Sequence, residues 1–262
     1  MSLPYADLLR QAEAIASAAA ATLTEMQGRR LETSRKELRD VVTAADLASE
    51  RIVIDGLRAL TPDAAILSEE AGASGPESDA RWIVDPLDGT INYAAGLPWF
   101  SVTMAYQEGG TTRLGIVHAP SAGLIARYVE GETATVNGET ARVSTVSSLS
   151  DAIVSAILTS HFNQEEVARA AETIRRLGNV ARGVRIIVSG GLEMALVASG
   201  QLDAYVSLKA DIVSHAAAMP LVRAAGGRET RLDNQDSADE DWEKIASNGL
   251  VHDELLACLA GL

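Results

Sequence analysis

The chain has 262 residues, 47% of them hydrophobic, and its 22 basic side chains stand against 36 acidic ones for a net charge of −14. That length supplies one large domain or two closely packed halves with a sizeable core, while the charge excludes a broad footprint on a nucleic-acid backbone. A single cysteine, Cys258, leaves no internal disulfide framework or cysteine-rich metal site and points to a cytoplasmic setting.

Residues 3–30 read as a first helix. Its alanine-rich stretch "AEAIASAAAATL" (12–23) is too short and too closely bracketed by charge to be a membrane span. A polar, irregular connection (31–44) with room for a short hairpin leads to a second helix over 46–60. There Ile52, Val53, Leu57 and Leu60 share an apolar side, Asp46 stands where a cap is wanted, and Thr61-Pro62 is the stop. "AAILSEE" (64–70) is a short strand delivering two glutamates, "AGASGPESDA" (71–80) a turn or exposed loop, and "RWIVDP" (81–86) a strand ending in a carboxylate. "FSVTMAYQ" (100–107), "RLGIVHAP" (113–120) and "GLIARYVE" (123–130) form a meander.

"AIVSAIL" (152–158) restarts the pattern as a buried strand. Helices are predicted over 163–178 with a glycine stop, over 190–200, and over 215–227 with an interruption at Pro220. "LDAYVSL" (202–208) is a strand, and "DWEKIASNGLVHDELLACLAGL" (241–262) closes the chain as a strand and a helix. The layout is a mixed α/β (α+β) one, with sheets covered by helices in two halves, 1–140 and 141–262.

Carboxylates sit at the ends of several of these elements: Asp46, Glu69 with Glu70, Asp85 and Asp88. Strand ends converge in layered α/β folds, and acids brought together resist ionisation unless a cation joins them. Oxygen donors without a His or Cys cluster suit magnesium or manganese. In "WIVDPLDGTIN" (82–92), Pro86 stiffens the turn, the Leu87 carbonyl adds an oxygen, Gly89 permits close approach of a phosphate, and the Thr90 hydroxyl is able to orient a water.

The sequence resembles the inositol monophosphatase family of metal-dependent, lithium-sensitive phosphatases. The likeness is carried in order by "DVVTAADLASE", "ILSEE", "WIVDPLDGTINYAAGLPWFSVTMA", "HAPSAG", "VNG", "LDAYVS" and "AAGG", over nearly the whole chain. The resemblance implies a five-layered αβαβα sandwich, a homodimer, and magnesium-dependent hydrolysis of a small-molecule phosphate monoester, while the charge and the lack of a spanning segment predict no nucleic acid or membrane as partner. It implies Glu69 and the Leu87 carbonyl as ligands of a first metal, Asp85 as a bridge between two metals, and Asp88 as ligand of the second. By the same resemblance Asp46 is expected in a looser third site, Glu69, Thr90 and Asp46 are expected to handle the attacking water, and the Gly89 and Thr90 amides to receive phosphate.

Two positions depart from the family pattern. The aspartate expected as a second-metal ligand falls on Ser214, with Asp211 and His215 as neighbours able to compensate. The glutamate that some members use to bind ring hydroxyls falls on Ser207. Ser189, Gly190, Ser207, Ser214, His215 and Arg185 are candidates on the substrate side, and Arg182 and Lys209 are weaker ones. Arg35 falls where the family can place a lysine over the metals. The replaced aspartate leaves two alternatives to hydrolysis: elimination or cyclisation on a metal-bound phosphate, and a catalytically inactive regulatory homologue.

Overall fold

The computed structural model describes residues 5–27, 33–34, 42–238 and 241–262; Arg35 and most of the 31–44 connection lie outside this set. The chain opens with α1 (Tyr5–Met26), whose buried Leu8, Ala12, Ala16, Ala19, Ala20 and Leu23 recur at helical spacing. A two-residue ribbon follows, β1 (Thr33–Ser34) with β2 (Val42–Thr43), and then α2 (Ala44–Leu60), packed against α1. The next run is β3 (Ala65–Ser68), β4 (Gly72–Ser74), β5 (Ala80–Asp88), α3 (Thr90–Ala94), β6 (Ser101–Glu108), β7 (Thr111–Ala119), β8 (Leu124–Val129), β9 (Thr135–Val136) and β10 (Glu139–Thr140). These strands make an eight-stranded sheet in the order β10-β9-β8-β7-β6-β5-β3-β4, in which β3 and β5 run parallel and the other pairs antiparallel.

A second sheet is built from β11 (Ile153–Ala156), β12 (Gly183–Arg185), β13 (Ala204–Ser207), β14 (Arg228–Thr230) and β15 (Lys244–Ser247), in the order β12-β11-β13-β15-β14. Its helices are α4 (Gln164–Val180), α5 (Gly190–Ala198), α6 (Ile212–His215), α7 (Met219–Ala224) and α8 (His252–Leu259). Helix α5 touches β5, β6 and β7 on one side and β13 and β15 on the other, so it lies between the sheets, and α7 bridges β7 and β8 to β14. Helices α4 and α8 pack together with α4 against β11 and β12, while α1 and α2 cover the large sheet. The layers therefore alternate αβαβα, and the core follows them. One apolar cluster lies under α1 and α2, one around α5 and α7, and one under α4 and α8.

Several boundaries differ from the sequence reading. The first helix stops at Met26, with Gln27 in a turn. Segment 71–80 is not all loop, because β4 pairs with β3. Helix α4 runs through Gly178 to Val180, started by a capping box in which Asn163 and Glu166 satisfy each other's backbone. Pro220 does not interrupt a helix; it sits in the first turn of α7, where its missing N–H has no partner to lose. No helix among the described residues is long and apolar enough to cross a membrane.

Candidate active site

The site begins with a register shift. Three residues of β5 advance from Asp85 to Asp88 while the paired positions of β6, Thr103 and Ser101, advance by two. Residues three apart point to opposite faces of a regular strand. The extra residue, a β-bulge, lets both aspartates reach one cavity. Pro86 lies inside the bulge, where the ladder does not need its N–H. The pair was expected on a turn; it stands instead on the distorted end of a strand. Parallel β3 lies beside it with Ser68 opposite Val84, so the next residue, Glu69, comes to rest near Asp85. The Asp85 and Glu69 carboxyl groups are hydrogen-bonded to each other.

Helix α2 braces this end with a polar face at i, i+3 and i+4. Asp46 Oδ1 accepts a hydrogen bond from Thr90 Oγ1 (3.0 Å), Ser49 donates to the Pro86 carbonyl (2.7 Å), and Glu50 Oε1 accepts from Ser68 Oγ (2.6 Å) and the Ala71 amide (2.8 Å). Asp46 thus lies buried in the first turn of α2 and faces Thr90 rather than capping the helix from outside. Thr90 also reaches the Leu87 carbonyl (3.0 Å). Gly89 has φ +91°, and a β-carbon there would lie 2.7 Å from the Trp99 carbonyl oxygen, so the position demands glycine.

The second half closes the site. Asp88 Oδ2 accepts from Ser101 Oγ (2.9 Å), Ser189 Oγ (2.7 Å) and the Gly191 amide (3.0 Å), and Oδ1 accepts from the Gly190 amide (3.1 Å). Behind Ser189 lies Glu193, fully buried, which accepts from the Ser189 amide (3.0 Å) and contacts the Ser155 hydroxyl. Ser214 Oγ donates to Asp85 Oδ2 (3.0 Å), and Asp211 Oδ1 caps the Ser214 amide (2.8 Å). His215 Nδ1 lies 2.8 Å from the Asp211 carbonyl, which can only accept. That nitrogen therefore carries the proton, and Nε2 accepts from the Tyr205 hydroxyl (2.7 Å). Burial lowers the pKa of His215 and raises that of Tyr205 well above its ordinary value, so both are neutral near pH 7.

A cavity of about 440 Å³ opens here, with Glu69, Asp85, Leu87, Asp88, Gly89 and Thr90 in its lining, while Asp46 and Ser189 stand outside that lining. Opposite stand Ile157, Phe162, Ile212 and Trp242, with Ser207, Asp211, Ser214 and His215 between. Lys209 is in the wall too, bridged to Glu166 at 3.0 Å with its ammonium 5.8 Å from the Trp242 ring centroid. Arg185 is not part of the wall; it is exposed and donates to the Val184 carbonyl. Arg182 pairs with Asp151 on the surface. Ser189 acts from behind the wall through Asp88. Sequence reasoning missed Ser49, Glu50 and Glu193. Their only signal was a polar residue within an otherwise buried helical face.

The donors accommodate a divalent cation unevenly. Burial, then the charges of Glu69 and Asp88, raise the pKa of Asp85 well above the carboxylate range. Two carboxyl groups in hydrogen-bond contact require a proton or a cation between them. Glu69, Asp85 and the Leu87 carbonyl fit magnesium, which uses one or two carboxylates and retains waters. Among the described residues no three Asp, Glu, His or Cys side chains converge as a ready-made metal cage. At Asp88 the fit is poorer, because four protein donors leave its carboxylate one open site, on Oδ1, and Ser214 offers only a neutral hydroxyl.

Layered helices and sheets, with an acidic strand end opening into a cavity between the two sheets, define a class of layered α/β protein with a carboxylate-lined cleft. The chain belongs to the inositol monophosphatase family, whose sequence profile matches residues 5–261. A Thermotoga maritima protein named fructose-1,6-bisphosphatase/inositol-1-monophosphatase is 35% identical over 218 residues, 83% of this chain and 82% of that one. The Nus factor SuhB of Escherichia coli K12 is 33% identical over 199 residues, 75% and 74% of the two chains. The crystal structure of the extragenic suppressor protein suhB from Bartonella henselae superposes with a TM-score of 0.92 at 27% identity, covering 97% of this chain and 99% of that one.

Proposed function

We infer that the protein is a magnesium-dependent phosphatase of a small-molecule phosphate monoester. One observation carries the reading: the β5 bulge and parallel β3 gather Asp85, Glu69, the Leu87 carbonyl and the Thr90 hydroxyl at one cavity. A divalent cation held by Glu69, Asp85 and the Leu87 carbonyl supplies charge neutralisation on phosphate oxygens and a more acidic water. Gly89 and Thr90, at the glycine-shaped start of α3, receive the phosphate through their amides. The Thr90 proton is shared between Asp46 and the Leu87 carbonyl, which leaves the Thr90 oxygen to accept from the attacking water. Glu69 takes that water's proton.

On the leaving side, Ser207 and Ser214 put hydroxyls where the family pattern has acids. The wall of Ile157, Phe162, Ile212 and Trp242 gives the departing alcohol an apolar surface. Residues 1–140 supply the phosphate end and 141–262 the alcohol end. The protein works as a cytoplasmic homodimer, with each cleft built within one chain.

The test is a panel of inositol, sugar, nucleotide and aromatic monophosphates, assayed for released phosphate with magnesium and with EDTA. The name of the Thermotoga relative supports including both sugar and inositol esters. Asp85→Asn is expected to lower turnover by at least about a hundredfold while preserving the circular-dichroism spectrum. Absence of metal-dependent release on every ester counts against the reading and favours a regulatory role, for which the relatives named Nus factor speak. Phosphate released without one solvent oxygen would instead indicate elimination or cyclisation.

A further inference from the structure

We propose that the cleft holds one divalent cation and that Asp88 is a permanent internal anchor for the start of α5 rather than the ligand of a second ion. The proposal rests on the preceding reading for the first cation alone.

Asp88 is 5% exposed and receives four hydrogen bonds, three on Oδ2 and one on Oδ1. A carboxylate offers about four lone-pair sites, two on each oxygen, so Oδ2 is filled and Oδ1 keeps a single open site for a metal. Two of the four donors are the Gly190 and Gly191 amides, the first N–H groups of α5. Those groups have no partner inside the helix and carry the positive end of its dipole. Ser189, at the helix cap, makes no capping hydrogen bond of its own; its hydroxyl points to Asp88 as well. Asp88 therefore caps α5 from another strand, and it ties the large sheet to the middle helical layer.

A second cation would be confined to the one open site on Oδ1, beside the Gly190 amide and the positive helix end. A β-carbon on Gly191 would lie 2.4 Å from Thr103 Cγ2 and 3.2 Å from Asp88 Oδ2. Glycine there is what allows the amide to come so close. The groups facing Asp88 are partly engaged: Ser214 gives its proton to Asp85, Asp211 uses Oδ1 to cap the Ser214 amide, and both nitrogens of His215 are bonded.

Bound Mn²⁺ is counted on the full chain by calorimetry and by the electron paramagnetic resonance of the free ion. Amide exchange at Gly190 and Gly191 is followed by NMR in EDTA and in excess Mg²⁺. One tight Mn²⁺ per chain is expected, with the same protection of both amides in either condition. Asp88→Asn is expected to keep that ion while both amides exchange faster by about tenfold or more, the factor conferred by a charge-assisted hydrogen bond. Two ions of comparable affinity, with the second lost in Asp88→Asn, would overturn the proposal. So would loss of Gly190 and Gly191 protection when Mg²⁺ is added to the unaltered protein, a readout that does not depend on the variant folding. No bound ion at all refutes the phosphatase reading beneath it, so the two failures are distinct.

Discussion

Glu193→Gln should stabilise the protein at alkaline pH and leave it unchanged in acid. Glu193 is fully buried, and burial is the main reason its pKa rises from 4.5 to about 7; the Ser155 hydroxyl and Ser189 amide oppose the rise and the Asp88 charge adds to it. Between these values the unfolded chain has lost the proton that the native chain retains. Native stability therefore falls as pH rises from 4.5 to about 7, and the deficit persists above it. The distance from 4.5 to about 7 corresponds to a ceiling of about 3 kcal/mol, of which relaxation around the charge leaves about 2 kcal/mol. Glutamine mimics the neutral acid, since its oxygen can accept from the Ser189 amide while its nitrogen donates to Ser155. At about 2–4 °C per kcal/mol for a chain of this size, the variant should melt about 4–8 °C higher at pH 8 and within about 1 °C of the parent at pH 5. Melting curves in EDTA at pH 5, 6.5 and 8 measure it. An equal shift at all three values, or a lower melting temperature at pH 8, would refute the reasoning.

Gly89→Ala forces a side chain into a left-handed backbone and against the Trp99 carbonyl. It should cost about 2–4 kcal/mol in urea denaturation and remove phosphate-ester turnover together with the turn that receives the ester. His252 is buried, with Nε2 2.9 Å from Thr230 Oγ1 and Nδ1 2.8 Å from Ser247 Oγ, and burial depresses its pKa to about 4. Its contribution to stability is complete above pH 6.5 and is lost as pH falls through about 4. His252→Gln should flatten the stability profile between pH 6.5 and 4 by about 2 kcal/mol, measured as the change in urea midpoint across that range.

The legible parts of the molecule are those where residue type and spacing suffice. Alternation and glycine-rich turns gave the meander of β6, β7 and β8, and the run from Trp82 to Asn92 marked its own chemistry through two acids, a proline and a Gly-Thr pair. The bulge was not legible, because an extra residue in β5 exists only relative to the register of β6. Glu193 and Glu50 were illegible for a related reason: a buried acid on a helix looks like any other polar residue until its partners, here Ser155 and Ser68, arrive from distant strands. Strands β12 and β14, three residues each, are too short to show any period. Asp211, Ser214 and His215 could be nominated from the sequence, but their hydrogen bonds depend on α6 folding into a single short turn over the cavity.

The borders of the two sheets bear on how copies of the chain can meet. The outermost strands are β10 and β4 in one sheet and β12 and β14 in the other, and none exceeds three residues. A long bare border would present a row of unpaired amides and carbonyls on which another chain could extend the sheet. Here each border ends after one or two rungs, and Glu139, Arg185 and Arg228 place charge on three of them. Growth into fibrils by strand addition is thereby disfavoured. Any contact between copies would fall to side chains rather than to extension of either sheet.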